Sequence, residues 1–295
     1  MATQKNDNTD QAAFWSGAMG QTWVTEMAFI ENMLAPFRDV LVGRVGNSGP
    51  HAVLDVGCGN GAVAASLSRR LGAGSTVVGI DISEPMIRNA QKLALQQPGG
   101  VTFVLGDAAT HDFGGQRFDS VISRFGCMFF ADPVAAFAHL RRCAVDDGAL
   151  TLIAWRDIES NELFNAGIRA ARVAFPDAPL PPRHGPGAFS FSDHDRVLEV
   201  LASAGWRNAR LESLDVGCAF PESGLRMFVE ELAPTGLQNA SLNDADRKKL
   251  SRALHEAYLP FVADGFVRFQ ARAWLISARA GITSRGNVAQ EAVKG

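Results

Sequence analysis

Val53-Leu54-Asp55-Val56-Gly57-Cys58-Gly59-Asn60-Gly61 couples a short apolar run to an acid and three alternating glycines. It reads as a strand entering a ligand-binding turn. Glycines at that spacing remove the Cβ atoms that would hold a ligand off the backbone, and the stretch 62–71 that follows predicts a helix with its N-terminus toward the ligand. Gly57, Gly59 and Ala62 also fit the G-x-G-x-x-G/A spacing of dinucleotide sites, with Asp81 where a ribose-binding acid belongs. Asp55 argues against a dinucleotide. A carboxylate just before the turn would face a pyrophosphate, and like charges ~5 Å apart cost about 3 kcal/mol at an effective dielectric near 20. The same carboxylate favours a ligand whose end there is cationic.

Further acids close further strands. Thr76-Val77-Val78-Gly79-Ile80-Asp81 is a β-branched run ending in an acid, and Ser83-Glu84-Pro85 after it reads as an N-cap, a first-turn acid and an early-turn proline. Ile87, Ala90, Leu93 and Ala94 recur at helical spacing. The stretch 101–108 is a third strand ending in Gly106-Asp107-Ala108, the stretch 118–125 a fourth, and 148–155 a fifth. Between the last two, Asp132-Pro133 opens a helix, with His139 off its apolar stripe. Five strand-then-helix units predict a mostly parallel, doubly wound sheet. An Asp at a strand end commonly serves a turn, but three on consecutive strands, one of them before a glycine turn, form a specific set.

On these residues the chain resembles the class I S-adenosylmethionine-dependent methyltransferases. The likeness is strong over 53–155 and looser elsewhere, and it is closest to the small-molecule branch typified by the ubiquinone/menaquinone-biosynthesis methyltransferase domain. It implies a Rossmann-like α/β fold, a seven-stranded sheet with an antiparallel last strand and a helical cap over the active site. It also implies that Asp55, Gly57, Gly59 and Gly61 cradle the methionine end and that Asp81 holds the ribose hydroxyls. Ile82 and Met86 would pack on the adenine, and Gly106, Asp107 and Ala108 would hold its amino edge. Ser123 and Arg124, at the fourth strand end, would lie beside the methyl group. Trp15 and Trp23 would close over the cofactor as part of an N-terminal lid.

Composition fits a globular enzyme. The chain has 295 residues, 47% of them hydrophobic and 20% charged, enough for a sizeable core. No apolar run approaches the ~18 residues that span a bilayer, and 1–11 is polar rather than a signal segment, so a cytoplasmic location without membrane insertion is expected. A net charge of -3 offers no broad basic face, and the fourth strand end lacks the Asn/Asp-Pro-Pro-Tyr/Phe signature of relatives acting on nucleic-acid amino groups. No nucleic-acid partner is expected; a homodimer stays open. Cys58, Cys127, Cys143 and Cys218 form no Cys-x-x-Cys pair, and Asp146-Asp147 has no carboxylate partners elsewhere, so no metal is expected.

The expected organisation is a tail and helical lid (1–48), a cofactor-binding core (49–156), a cap insertion (157–190), a core continuation (191–216), a second cap insertion (217–268), and a final strand with its tail (269–295). The lid reads as one or two amphipathic helices broken only by Gly17, Gly20 and Pro36. Phe125, Met128, Trp155 and His184 are the candidate substrate pocket, with Phe129, Phe130, Phe189 and Phe191 nearby. With 19 Phe and one Tyr the chain favours aromatic surface without hydroxyls, which suits a small apolar or aromatic acceptor. His184 is the first candidate base, then Asp157 and His255, and Arg124 is a candidate for orienting an anionic substrate. The acceptor atom, oxygen, nitrogen or carbon, stays open. Two alternatives stand beside methyl transfer: an NAD(P)-dependent oxidoreductase, and a cofactor-binding enzyme that catalyses a rearrangement.

Overall fold

The computed structural model describes residues 8–46, 51–96, 100–178, 180, 185–233 and 242–281. Four short helices come first: α1 (Thr9–Ser16), α2 (Ala18–Thr25), α3 (Met27–Met33) and α4 (Ala35–Arg44). One or two helices were expected here. The breaks fall at Gly17, Glu26 and Leu34, whereas Gly20 lies inside α2 and Pro36 occupies the first turn of α4, where its missing N–H costs nothing. Gly20 serves packing: a Cβ there would lie 1.8 Å from the Trp15 carbonyl oxygen.

The alternating core follows as β1 (Ala52–Val56), α5 (Ala62–Leu71), β2 (Thr76–Asp81), α6 (Glu84–Ala94), β3 (Val101–Leu105), β4 (Phe118–Arg124), α7 (Pro133–Cys143) and β5 (Ala144–Trp155). Asp132 caps α7 by accepting from the Ala135 amide, as its sequence position predicts. Then come α8 (Glu162–Ala174), α9 (His194–Ser203), β6 (Trp206–Pro221), the short α10 (Leu225–Met227), α11 (Asp244–Tyr258), the two-residue β7 (Val262–Ala263) and β8 (Phe266–Ala280). The sheet order is β3-β2-β1-β4-β5-β8-β6, with β7 paired to β8 as an eighth strand beyond the seven expected. Strands β1 to β5 pair in parallel, while β8 runs antiparallel to both β5 and β6. This is the Rossmann-like α/β fold with an antiparallel last strand.

The order reverses between β1 and β4, so their carboxyl ends form the crevice where such sheets bind ligands. Strands β6 and β8 are long, at 16 and 15 residues. They stay paired from Trp206↔Ala280 to Pro221↔Phe266, whereas β5 reaches only Ala273 of β8. The excess is a ribbon of β6 and β8 running past the sheet, with the short β7 joining β8 at its far end.

Two apolar cores result. The larger packs both faces of the sheet and includes Phe37, Phe118 and Phe137, each fully buried and each stabilising by about 1.5–3 kcal/mol. The smaller joins Leu163 of α8, Phe220 and Val267 of the ribbon, Leu225, Phe228, and Leu254 and Tyr258 of α11. That second core gathers α8 and α11 on the far end of the ribbon. No helix among the described residues is long and apolar enough to cross a membrane.

Candidate active site

The turn after β1 is built by close backbone packing. Gly57 (φ 67°) presses on the turn after β4, where a Cβ would sit 2.6 Å from Gly126 Cα; a Cβ on Gly61 would sit 2.4 Å from the Phe103 ring. Both glycines therefore answer to the protein itself. Gly59 differs, since its nearest neighbour would be Met86 Sδ at 3.6 Å, leaving open the side on which a ligand can approach. Ser123 fixes the same junction: its hydroxyl donates to the Val56 carbonyl at 2.7 Å and accepts from the Cys127 amide at 3.1 Å. Both bonds are spent within the protein, although the resemblance would put Ser123 against the cofactor.

The three acids stand at the ends of β1, β2 and β3. Asp55 is 1% exposed, and its Oδ2 has no hydrogen-bond partner among the described residues. Burial pushes its carboxyl up to about 7; Arg124 opposes that rise, Asp81 adds to it, the Ala64 amide opposes it, and Glu31 adds to it. A buried, under-satisfied carboxylate suits a ligand cation and would repel a pyrophosphate. Asp81 accepts from the Gly59 amide at 2.7 Å and the Ser83 amide at 2.9 Å, while burial raises its carboxyl against those bonds. Asp107 accepts from the Ala109 amide at 2.9 Å and the Asn8 side chain at 2.8 Å. Met86 and Ala108 are buried and Ile82 half-buried beside them; Gly106 donates to the Asp81 carbonyl at 3.0 Å, joining β3 to β2.

Helices α1 and α2 lie across this edge. Asn8 bridges two loops, donating to Asp107 and accepting from the Ala131 amide at 2.7 Å. Ser83 holds the N-cap position of α6, but its hydroxyl donates to the Trp15 carbonyl at 2.6 Å instead of capping. Asn60, from the glycine turn, donates to the Trp23 carbonyl at 3.0 Å. Trp15 meets Trp23 edge-on at 5.7 Å and Phe129 at 5.1 Å. Ser83, Asn60 and Asn8 are contributors that sequence reasoning missed. A hydroxyl before a helix is indistinguishable from an ordinary cap, and Asn8 stands in a polar tail without a pattern.

Beyond β4 and β5 lies an aromatic cluster. Phe125 stacks on Trp155 at 4.1 Å, with Phe37 edge-on to both at 5.0 and 5.3 Å and Phe164 against Trp155 at 5.0 Å. Phe125 adopts φ 64°, a left-handed conformation that a bulky residue takes only under strain. Phe129 is half-buried against Trp15. Met128, Phe130, Phe189 and Phe191 are buried in the main core; Met128 is 1% exposed and its carbonyl accepts from Ser190 and Gly187. The cluster brings Phe125 and Trp155 together, and both are buried in the same core as Met128, at 8% and 9% exposure.

Arg124 grips Glu31 of α3 with both arms, Nη1–Oε2 at 3.0 Å and Nη2–Oε1 at 2.5 Å. Asp157 caps its own turn through the Ser160 amide, and His255 is exposed on α11. His184 lies outside the described residues. All four cysteines are buried, with the Cys127 thiol pushed up to about 12 by desolvation. Among the described residues no group of His, Cys, Asp and Glu could hold a metal.

Comparison with known proteins gives this geometry its context. Residues 53–148 match the family described as methyltransferase domain. Nocamycin O-methyltransferase of Saccharothrix syringae is 33% identical over 203 residues, covering 62% of this chain and 72% of that protein. Aklanonic acid methyltransferase DauC of a Streptomyces species is 36% identical over 88 residues, 30% of this chain and 40% of that protein. Among solved structures, phosphoethanolamine N-methyltransferase 2 of Haemonchus contortus in complex with S-adenosyl-L-methionine superposes with a TM-score of 0.56 at 17% identity, covering 91% of this chain and 59% of that chain.

Proposed function

Since this chain belongs to the class I S-adenosylmethionine-dependent methyltransferases, with S-adenosylmethionine as its cofactor, we propose that it methylates a small, largely apolar or aromatic acceptor lodged between the carboxyl edge of the sheet and the helical cap. The observation that carries the substrate class is the Phe125–Trp155 stack, edged by Phe37 and Phe164, at the ends of β4 and β5. An oxygen acceptor is supported by the nocamycin relative, whose name states O-methylation.

Along the carboxyl edge, these residues would meet the cofactor in turn. Asp55, buried with an unpartnered oxygen, would face the cationic methionine end. Asp81, already oriented by the Gly59 and Ser83 amides, would accept from the ribose hydroxyls. Asp107 and Ala108 would hold the adenine amino edge, with Met86 and Ile82 against its faces and Trp15 and Trp23 closing from above. When bound, the cofactor supplies a methyl group on a positively charged sulfur. The chain's own part is to align an acceptor oxygen with that group and exclude water, which supplies much of such a rate enhancement. The acceptor's hydroxyl proton would leave to solvent or to a base, for which His184 is the candidate.

The first test is calorimetric titration with S-adenosylhomocysteine, with NADH in parallel. Micromolar binding that falls at least about twentyfold in Asp81→Ala, for the loss of two charge-assisted hydrogen bonds, supports the assignment; binding of NADH alone would overturn it. Incubation with S-adenosylmethionine and a panel of phenols and enols follows. Homocysteine-type product equal to methylated product fits methyl transfer, whereas turnover without it fits the rearrangement reading.

A further inference from the structure

Glu31 is a carboxylate where an apolar segment would be expected to stay apolar, between Ile30 and Leu34, which are both buried. It reaches Arg124 at the end of β4 through a bidentate pair whose side chains are 17% and 8% exposed. Arg124 also approaches the Leu34 carbonyl at 3.5 Å. The pairing Asp55↔Ile122 between β1 and β4 puts Arg124 on the same face of the sheet as Asp55, two residues nearer the carboxyl edge. Asp55 feels Arg124, Asp81 and Glu31 together. This corner therefore holds three carboxylates against one guanidinium.

S-adenosylmethionine and S-adenosylhomocysteine differ by one methyl group and one positive charge. We propose that Glu31 cancels the charge of Arg124 so that the field at the cofactor's sulfur stays negative, and that it thereby sets how much more tightly the protein holds the sulfonium cofactor than the uncharged-sulfur product. The inference rests on the reading that Asp55 and Asp81 mark the cofactor edge. An unneutralised Arg124 would act on the sulfur as a like charge through a partly buried, poorly screened path. Glu31 would then favour exchange of spent product for fresh cofactor without touching either.

The measurement is the ratio of the two ligands' Kd values by calorimetry at pH 8, in the unaltered protein and three variants. Glu31→Gln should shift the ratio about five- to tenfold toward S-adenosylhomocysteine, from one uncompensated charge several ångströms away. Arg124→Met should shift it toward S-adenosylmethionine, and the double variant E31Q/R124M should return it to within about twofold of the unaltered protein by charge additivity. A pair that merely anchored the lid would weaken both ligands alike and leave the ratio fixed. That result, or a double variant whose ratio stays with E31Q, overturns the proposal. If E31Q does not fold, R124M and the double variant still carry the opposite-sign test. Unaltered protein that binds neither ligand would bring down the cofactor edge itself, and this inference with it.

Discussion

Asp55 is the residue at which stability and function part company. Its carboxyl titrates near 7 because burial outweighs Arg124, while an unfolded chain titrates it near 3.9. The folded protein therefore binds a proton more readily between about pH 4 and 7, and stability from this group falls as pH rises through that window. Asp55→Asn removes the charge and should raise the midpoint of thermal unfolding by about 3–6 °C at pH 8 and by about a third of that at pH 5, where only the unfolded acid is ionised. The same variant should lose measurable S-adenosylmethionine binding. A midpoint gain equal at both pH values, followed by differential scanning fluorimetry, would exclude this account. Asp55, Asp81 and Asp107 were legible because each ends an apolar run. Ser83 was half legible: its place before a helix was right, yet its hydroxyl serves Trp15, a partner 68 residues away that no local pattern encodes. Glu31 was invisible for the same reason, its meaning residing in Arg124 across the fold.

Among elements, the strands were the most legible. Apolar runs closed by Asp or Gly set β1, β2 and β3 close to their ends, and the proline and acid of Asp132-Pro133 set the start of α7. The N-terminal helices were harder, since only one of their three breaks falls at a glycine, Gly17, while Gly20 stays helical because the Trp15 carbonyl needs its bare Cα. The second core packs with equal closeness. Tyr258 of α11 is fully buried, its hydroxyl without a partner and aimed at α8, where a Cβ on Gly167 would lie 2.2 Å from the oxygen. Removing a buried, unpaired hydroxyl relieves a desolvation penalty. Tyr258→Phe should therefore stabilise by about 1 kcal/mol, and Gly167→Ala should be strongly destabilising alone but less so in the Tyr258→Phe background. Chemical denaturation of the four proteins checks both; additive effects would mean that the two positions do not meet.

For the whole molecule, the stretch from Asn8 to Trp23 is fastened to the carboxyl edge of the sheet by hydrogen bonds. Asn8 ties the start of α1 to Asp107 and Ala131, Ser83 holds Trp15, and Asn60 holds Trp23. Because Asp107 is both a lid anchor and a proposed ligand group, cofactor binding and lid closure should be coupled. Hydrogen–deuterium exchange in α1 and α2 should slow on adding S-adenosylhomocysteine. Asn8→Ala should speed exchange there and weaken binding about tenfold, the scale of one hydrogen bond to a charged group; unchanged exchange in α1 would refute the coupling. The ribbon of β6 and β8 has a different consequence. It leaves the sheet as two strands already locked in register, and the second core is built on its far end. A lineage, or an engineer, can therefore replace what lies between those strands and present a new acceptor to the same methyl donor, with the junction reduced to two chain crossings whose spacing the sheet has already fixed.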